Sequence, residues 1–265
     1  MSTKTHDQIF ERAALAGEMP AGIFSQAERR RHRQVIDAWC NNAHSLVIGG
    51  VSNWSALHVG RAPEGERVER LVPPITISIQ RGGQPVKVQI FGPTDPLSTT
   101  GDASMVLAMS DTVSARHRIR ALVTVLVLAA TGGASADIHR AFINPAKMIE
   151  PDSKEATAAT TFLRIPSREE AITYLEHIVS DLYEGTHTYL MPVEVVEKFV
   201  AERSGKSPRS VGEIVSEFQA SGRPGWSSQY GPIKRLERFG PPTESQAMSI
   251  LERRYEPLFS MILSK

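Results

Sequence analysis

Four residues in the stretch SARHRIRALVTVLVLAATGG carry or can carry positive charge: Arg116, His117, Arg118 and Arg120. They stand immediately ahead of a nearly unbroken apolar run. A helix N-terminus already carries roughly half a positive charge, so arginines in its first turns cost a few tenths of a kcal/mol each unless something negative lies nearby. A phosphate held by backbone N–H groups and guanidinium forks would supply that charge. The competing reading pairs these arginines with Asp111, Asp102 or the acids near the C-terminus. A second cluster, Arg29, Arg30, Arg31 and Arg33, poses the same choice. It is either a solvated helix face or a stripe for a DNA backbone, with Arg29, Arg30 and Arg33 as its contacts.

The acidic residues raise a different chemistry. Metal-dependent phosphodiester cleavage needs two or three carboxylates converging on Mg²⁺, with a lysine beside the attacked phosphate or its water. Asp95 and Asp102 fall where the first strand-edge acid would lie, and Asp111 follows the apolar segment SMVLAMS. The residue two beyond Asp111 is Val113, not lysine, so an active site would have to recruit Lys87 from an adjacent strand. A literal acid-x-Lys occurs at Asp152-Ser153-Lys154, but in a polar loop after Pro151, where it reads as solvated. The eight histidines form no HxH or HxxxH pair, and no GxSxG, P-loop or GxGxxG is present. No metal or cofactor is expected. Trp226, among Arg223, Lys234, Arg235 and Arg238, could stack on a base, but reads first as packing a long loop onto the body.

Bulk composition narrows the classes without choosing among them. The formal net charge is +1, so global charge points to neither nucleic acid nor a membrane surface. Within the basic set there are 8 lysines against 22 arginines, which favours forks for phosphate and carboxylate. The one cysteine, Cys40, excludes an internal disulfide and a cysteine-rich zinc site. The first residues, MSTKTHDQIF, have no apolar core of a signal peptide, and the run from Ala121 to Thr131 is far short of the roughly 20 residues that a span needs. The expected compartment is the cytoplasm.

The elements that must position these residues follow from periodicity. A short helix is predicted over 7–16 and another after a Ser25 cap, with Val35, Ile36 and Trp39 on one face. Strands are predicted at 45–51 and on either side of a Pro-Glu-Gly turn in ALHVGRAPEGERVERLV. The clearest hairpin is ITISIQRGGQPVKVQIFG, where Ile75, Ile77 and Ile79, then Val86, Val88 and Ile90, alternate with polar residues. A loop (93–103) leads to a buried strand over SMVLAMS. Ser114 caps a deeply buried helix that Gly132-Gly133 stops. A hairpin of IHRAFIN and ATTFLRIP with a long polar loop follows. Ser167 and Glu170 form a capping box for a helix that continues towards Leu190. A further helix near 192–204, an irregular excursion over 205–245 and a closing helix complete the chain. The order implies an α/β or α+β fold with strands over 46–110 feeding the helix at 114–131.

Taken together, these segments resemble the C-terminal region of the exodeoxyribonuclease V gamma chain, the RecC family. AALAGEMPAGIF corresponds to a Gly-x-Leu-Pro-x-Gly-like element, and RHRIRALVTVLVLAATGG to a basic-plus-apolar helix following a strand. Tyr174, Leu175, Ile178, Leu182, Tyr183, Gly185, Leu190 and Pro192 match the family's penultimate helix; Tyr255, Pro257, Leu258 and Phe259 match its last. The resemblance implies an α/β, PD-(D/E)xK nuclease-like core, a mixed sheet flanked by helices with added N- and C-terminal helices, that has lost its catalytic residues. It divides the chain into a helical lead-in (1–45), the core (46–200) and an irregular loop with the C-terminal helix packed on the core (201–265), all expected within one structural domain. The implied role is non-catalytic binding of DNA ends and scaffolding of a RecBCD-type helicase–nuclease in double-strand break repair and recombination. The implied partners are DNA ends, RecB- and RecD-like subunits and the family's helicase-like N-terminal part, which is not among these 265 residues. Two alternatives stand beside it: an active Mg-dependent nuclease using Asp95, Asp102, Asp111 and Lys87, and a protein–protein adaptor without DNA contact.

Overall fold

The arginine-and-apolar stretch folds as its pattern dictates, into a helix from Ala115 to Thr131 that the rest of the chain surrounds. The computed structural model describes residues 11–13, 16–17, 22–46, 54–62, 68–134, 136–150, 153–184, 196, 198, 213 and 244–263. In chain order their elements are α1 (Ile23–Leu46), β1 (Trp54–Ser55), β2 (Leu57–Val59), β3 (Arg70–Val72), β4 (Ile75–Arg81), β5 (Gln84–Ile90), β6 (Gly92–Pro93), β7 (Leu97–Ser98) and β8 (Ala103–Leu107). Then come α2 (Ala115–Thr131), β9 (Ile138–Asn144), α3 (Lys154–Ala159), β10 (Thr160–Arg164), α4 (Arg168–Glu184), α5 (Glu244–Ile250), a π-helical turn (Leu251–Tyr255) and α6 (Glu256–Phe259).

The central sheet runs β1-β7-β8-β9-β10. Within it β8 and β9 are parallel, with Ala103 opposite Arg140 and Leu107 opposite Asn144; the other neighbours are antiparallel. Parallel neighbours need a crossover, and α2 supplies it. That explains the helix's composition. Leu122, Val125, Leu126 and Ala129 join Val106 of β8 and Ala141 and Ile143 of β9 in one core, where α4 and the C-terminal segment also pack. The left-handed Gly132 ends α2, its N–H returning to Ala129. A smaller sheet runs β3-β2-β6, and the β4–β5 hairpin stands as a two-stranded ribbon. At its tip Gly82 and Gly83 both take positive φ, as a two-residue turn requires. The outer edge of β10 is covered by the C-terminal residues: Arg164 N–H donates to Met261 O (2.7 Å) and Leu263 N–H to Phe162 O (2.9 Å).

Several local expectations are corrected. α1 begins at Ile23, so Ser25 lies inside the helix and does not cap it. The two strands expected in ALHVGRAPEGERVERLV form as β2 and β3, and they pair in parallel. The loop over 93–103 contains the end of β6 and all of β7, whose two-residue lengths leave no periodicity to read. The polar loop before β10 contains α3, capped by Ser153 accepting from Ala156 N–H at 3.2 Å. The strand at 45–51, most of the helix at 7–16 and of that near 192–204, and the excursion with Trp226 lie outside the described residues.

Candidate functional site

The expected basic front of α2 forms, but its side chains diverge. Ser114 precedes the helix in extended conformation, and its N–H donates to His117 Nδ1 (3.1 Å). An Nδ1 that accepts a backbone N–H carries no proton, so the imidazole is neutral in this arrangement. Burial, with Arg116 and Arg120 close by, lowers the His117 pKa and favours the same form. His117 therefore acts here as the third residue of a capping box, in the place usually taken by glutamate or glutamine. Arg116 is exposed and forms no ion pair among the described residues. Arg118, half-buried, lines a small pocket against α3 and β10. Arg120 turns to the other side of the helix, into a groove of about 380 Å³ beside Pro93 and Thr94.

There Arg120 forms an ion pair with Asp95, and its second amino group donates to Leu107 O at 3.1 Å. The partner of Arg120 is thus none of Asp111, Asp102 or the C-terminal acids. The pairing follows from the sheet. Leu97 of β7 lies opposite Ser104 of β8, so Asp95, two residues earlier, meets the C-terminal end of β8 where α2 begins its return. Asp102 sits at the other end of β8. Its carboxylate accepts from Ser98 Oγ (2.8 Å) and Thr100 Oγ1 and pairs with Arg140 Nη2 (2.9 Å). The hydroxyl of Thr100 contributes most to lowering its pKa, to about 2, with Ser98 and Arg140 adding to it against the opposing cost of burial.

At about 3.3 Å per residue, the ends of β8 put Asp95 and Asp102 on the order of 15 Å apart along the strand. Asp111 is exposed beyond the end of β8. Lys87 lies on the exposed face of the β4–β5 hairpin, opposite Ser78, in a different sheet. The four residues of the nuclease alternative are not gathered. Among the described residues, no three His, Cys, Asp or Glu side chains are placed to hold a metal ion. In the acid-x-Lys tripeptide, Ser153 caps α3 and Lys154 is its first residue; Asp152 is not described.

The arginines of α1 are presented by an anchor that sequence reasoning missed. Its second half docks through Val35, Ala38 and a polar network. Asn42, fully buried, donates to Asn144 Oδ1 (3.1 Å) and Lys147 O (2.7 Å) and accepts from Ile149 N–H (2.9 Å). Asn144 donates to Trp39 O, and Trp39 Nε1 donates to Ala108 O. At about 100° per residue, Arg29, Arg30 and Arg33 fall on the side of the helix opposite Val35, Ala38 and Asn42. Arg30 and Arg33 are exposed, and Arg29 is half-buried with a contact of its own. Asn42, one of two adjacent asparagines in a polar stretch, carries no sequence signal for such a role.

Two further features were legible only in part. His139, buried, pairs its Nε2 with Ser104 Oγ at 2.9 Å. Burial pushes its pKa down to about 4, against the pull of the Gly101 backbone and Asp102. Neither Ser104 nor His139 reaches solvent, so this Ser–His contact is packing, not a nucleophile. At the far side, Asp181 of α4 is held by Arg253 and by Arg254 Nε (2.7 Å) from the π-helical turn, and Tyr174 Oη donates to Arg254 O. Burial raises the Tyr174 pKa. No helix among the described residues is long and apolar enough to cross a membrane.

Compared with known families, residues 1–195 match the one described as RecC C-terminal domain. No curated protein matches the chain.

Proposed function

Since the chain belongs to the RecC C-terminal domain family, we propose that it is a non-catalytic DNA-end-binding and scaffolding module of a RecBCD-type exodeoxyribonuclease V. Membership of that family implies involvement in this complex, in repair and recombination, with RecB, RecD and DNA as its associates. The finer reading is that the chain grips DNA and joins subunits without cutting. Its nuclease-like α/β core serves as a frame, in the cytoplasm, with no resident cofactor.

The observation that carries this reading is the division of labour among the arginines. Arg120 and Arg140 neutralise the carboxylates that cleavage would need for its metal. Arg116, Arg30 and Arg33 stay at the surface, where a phosphate backbone can reach them. His117 contributes through the start of α2, which it holds in shape, and Arg118 and Arg29 flank the two basic faces.

The test is direct. The full chain should retard linear duplex DNA, and Mg²⁺ should produce no degradation of it. Degradation with Mg²⁺ that is lost in Asp102→Ala would overturn the non-catalytic reading and favour the nuclease. Co-purification with helicase subunits without any DNA retardation would leave a protein–protein adaptor.

A further inference from the structure

The β4–β5 ribbon has two edges, and its register fixes what each presents. Arg81 and Gln84 close the two-residue turn, so the pairs that exchange main-chain hydrogen bonds are Arg81–Gln84, Ile79–Val86, Ile77–Val88 and Ile75–Ile90. The residues between them turn their main-chain groups outward: Thr76, Ser78 and Gln80 on one edge, Pro85, Lys87 and Gln89 on the other. The first edge is covered. Ser78 N–H donates to Glu176 Oε1 at 3.0 Å, and α4 packs along the strand. The second edge is open. Among the described residues the ribbon has no third strand, and no hydrogen bond ends on the outward groups of Lys87 or Gln89.

An open strand edge is a template for another strand. Here the side chains beside it are apolar on one face. Val86, Val88 and Ile90 are half-buried, whereas Ile79, Ile77 and Ile75 opposite them are buried. A strand added at β5 would finish covering that row. Pro85 and Lys87 limit which strand fits. Pro85 has no N–H to give, and Lys87 repels a cation placed directly opposite.

Both limits are met by β5 itself, run antiparallel about a twofold axis at Val88. Lys87 then lies opposite Gln89 of the second copy, and Gln89 opposite its Lys87, each pair exchanging main-chain bonds. On the apolar face Val86 meets Ile90, Val88 meets Val88 and Ile90 meets Val86. Centring one residue earlier sets Lys87 against Lys87 and calls on the N–H that Pro85 lacks. Centring one residue later leaves Val86 opposite Gly92. A formal net charge of +1 adds little repulsion between copies. Because the β4 edge is closed, pairing stops at two chains. We propose that β5 binds β5 of a second copy of this chain, antiparallel and centred on Val88. The contact is a single strand pair, smaller than a standard interface, so the dimer is weak and forms at high concentration. This self-pairing does not depend on the DNA reading above.

The experiment is sedimentation equilibrium of the full chain from about 1 to about 500 µM. The expected result is a reversible monomer–dimer equilibrium with a Kd on the order of 100 µM. Gln89→Pro removes an outward N–H that has no partner within the chain and should weaken the dimer about tenfold or more. Gln89→Ala keeps that N–H and should stay within about twofold. A second measurement traps the register. In a Cys40→Ser background, Val88→Cys should form a disulfide-linked dimer under mild oxidation, because the two Cβ atoms of that non-hydrogen-bonded pair lie about 4.5 Å apart. Thr76→Cys, on the covered edge, should not. A chain that stays monomeric throughout the range would overturn the proposal. So would a dimer that Gln89→Pro leaves as tight as before, or one that Val88→Cys fails to lock. If circular dichroism shows that Gln89→Pro does not fold, the cross-link decides alone, and its absence sinks the pairing.

Discussion

Arg120 joins Asp95 to the carbonyl of Leu107, so one guanidinium closes the gap between the segment before β7 and the end of β8. The Asp95 side chain is only 9% exposed, which makes it dependent on that partner. Removing one member of such a pair costs more than removing both, because the survivor is left desolvated and unpaired. Arg120→Gln is expected to cost about 1–3 kcal/mol in urea unfolding. The double variant Asp95→Asn, Arg120→Gln should recover part of that loss, giving a non-additive cycle. Additive losses would mean that the pair contributes nothing as a pair.

Two buried or bonded groups give the acid limb two separate windows. His139 titrates near 4 in the fold against an ordinary value of 6.5, so the unfolded chain takes up a proton first. Its contribution is fully present above about pH 6.5 and is lost as pH falls towards 4, on the order of 3 kcal/mol in all. Asp102, lowered from 3.8 to about 2, contributes above pH 4 and loses that contribution between 4 and 2. His139→Gln should therefore flatten the stability profile between pH 6.5 and 4. Asp102→Asn should flatten it only below 4. Denaturant midpoints across this range separate the two, and a single shared window would refute the assignment.

The contrast between these groups also explains what could be read from the sequence. The β4–β5 ribbon and α2 were legible because each follows one strict period, two for the isoleucines of β4 and 3.6 for the apolar face of α2. Ser167 and Glu170 were legible because a capping box is local, and both of its bonds form, Glu170 N–H to Ser167 Oγ at 3.1 Å and Ser167 N–H to Glu170 at 2.7 Å. The partner of Arg120 was not legible. It depends on the offset between β7 and β8, two residues and five residues long, and no periodicity fixes so short a register. The parallel pairing of β2 and β3 escaped for the same reason, each having three residues. The basic front of α2 was visible, but the divergence of Arg116, Arg118 and Arg120 arises from what α3, β6 and β10 place around it.

Asn42 is the cross-link on which the placement of α1 depends. Its amide joins the helix to Asn144, Lys147 and Ile149, over 100 residues away in the chain. Asn42→Ala should leave the Ile149 N–H and Asn144 Oδ1 without the partner that Asn42 supplies and cost on the order of 3 kcal/mol. The cost should appear as earlier loss of helical signal and faster amide exchange along α1. Uniform destabilisation without selective exchange in α1 would mean that the helix is held elsewhere.

The surface arginines are best separated from the structural ones by salt. Each guanidinium that neutralises a DNA phosphate releases counterions, and the slope of log K against log[salt] falls by about 0.9 per contact on duplex DNA. Arg30, Arg33 and Arg116 are exposed on the two basic faces, while Arg120 is committed to Asp95. Substituting the first three with alanine should lower the slope by about 2–3 and weaken binding alike for all duplex sequences. Arg120→Gln should change stability but leave the slope within about 0.5 of the unsubstituted protein. An unchanged slope in the triple variant would remove these faces from the DNA contact, whereas a large loss of slope in Arg120→Gln alone would show that the ion pair opens to meet DNA.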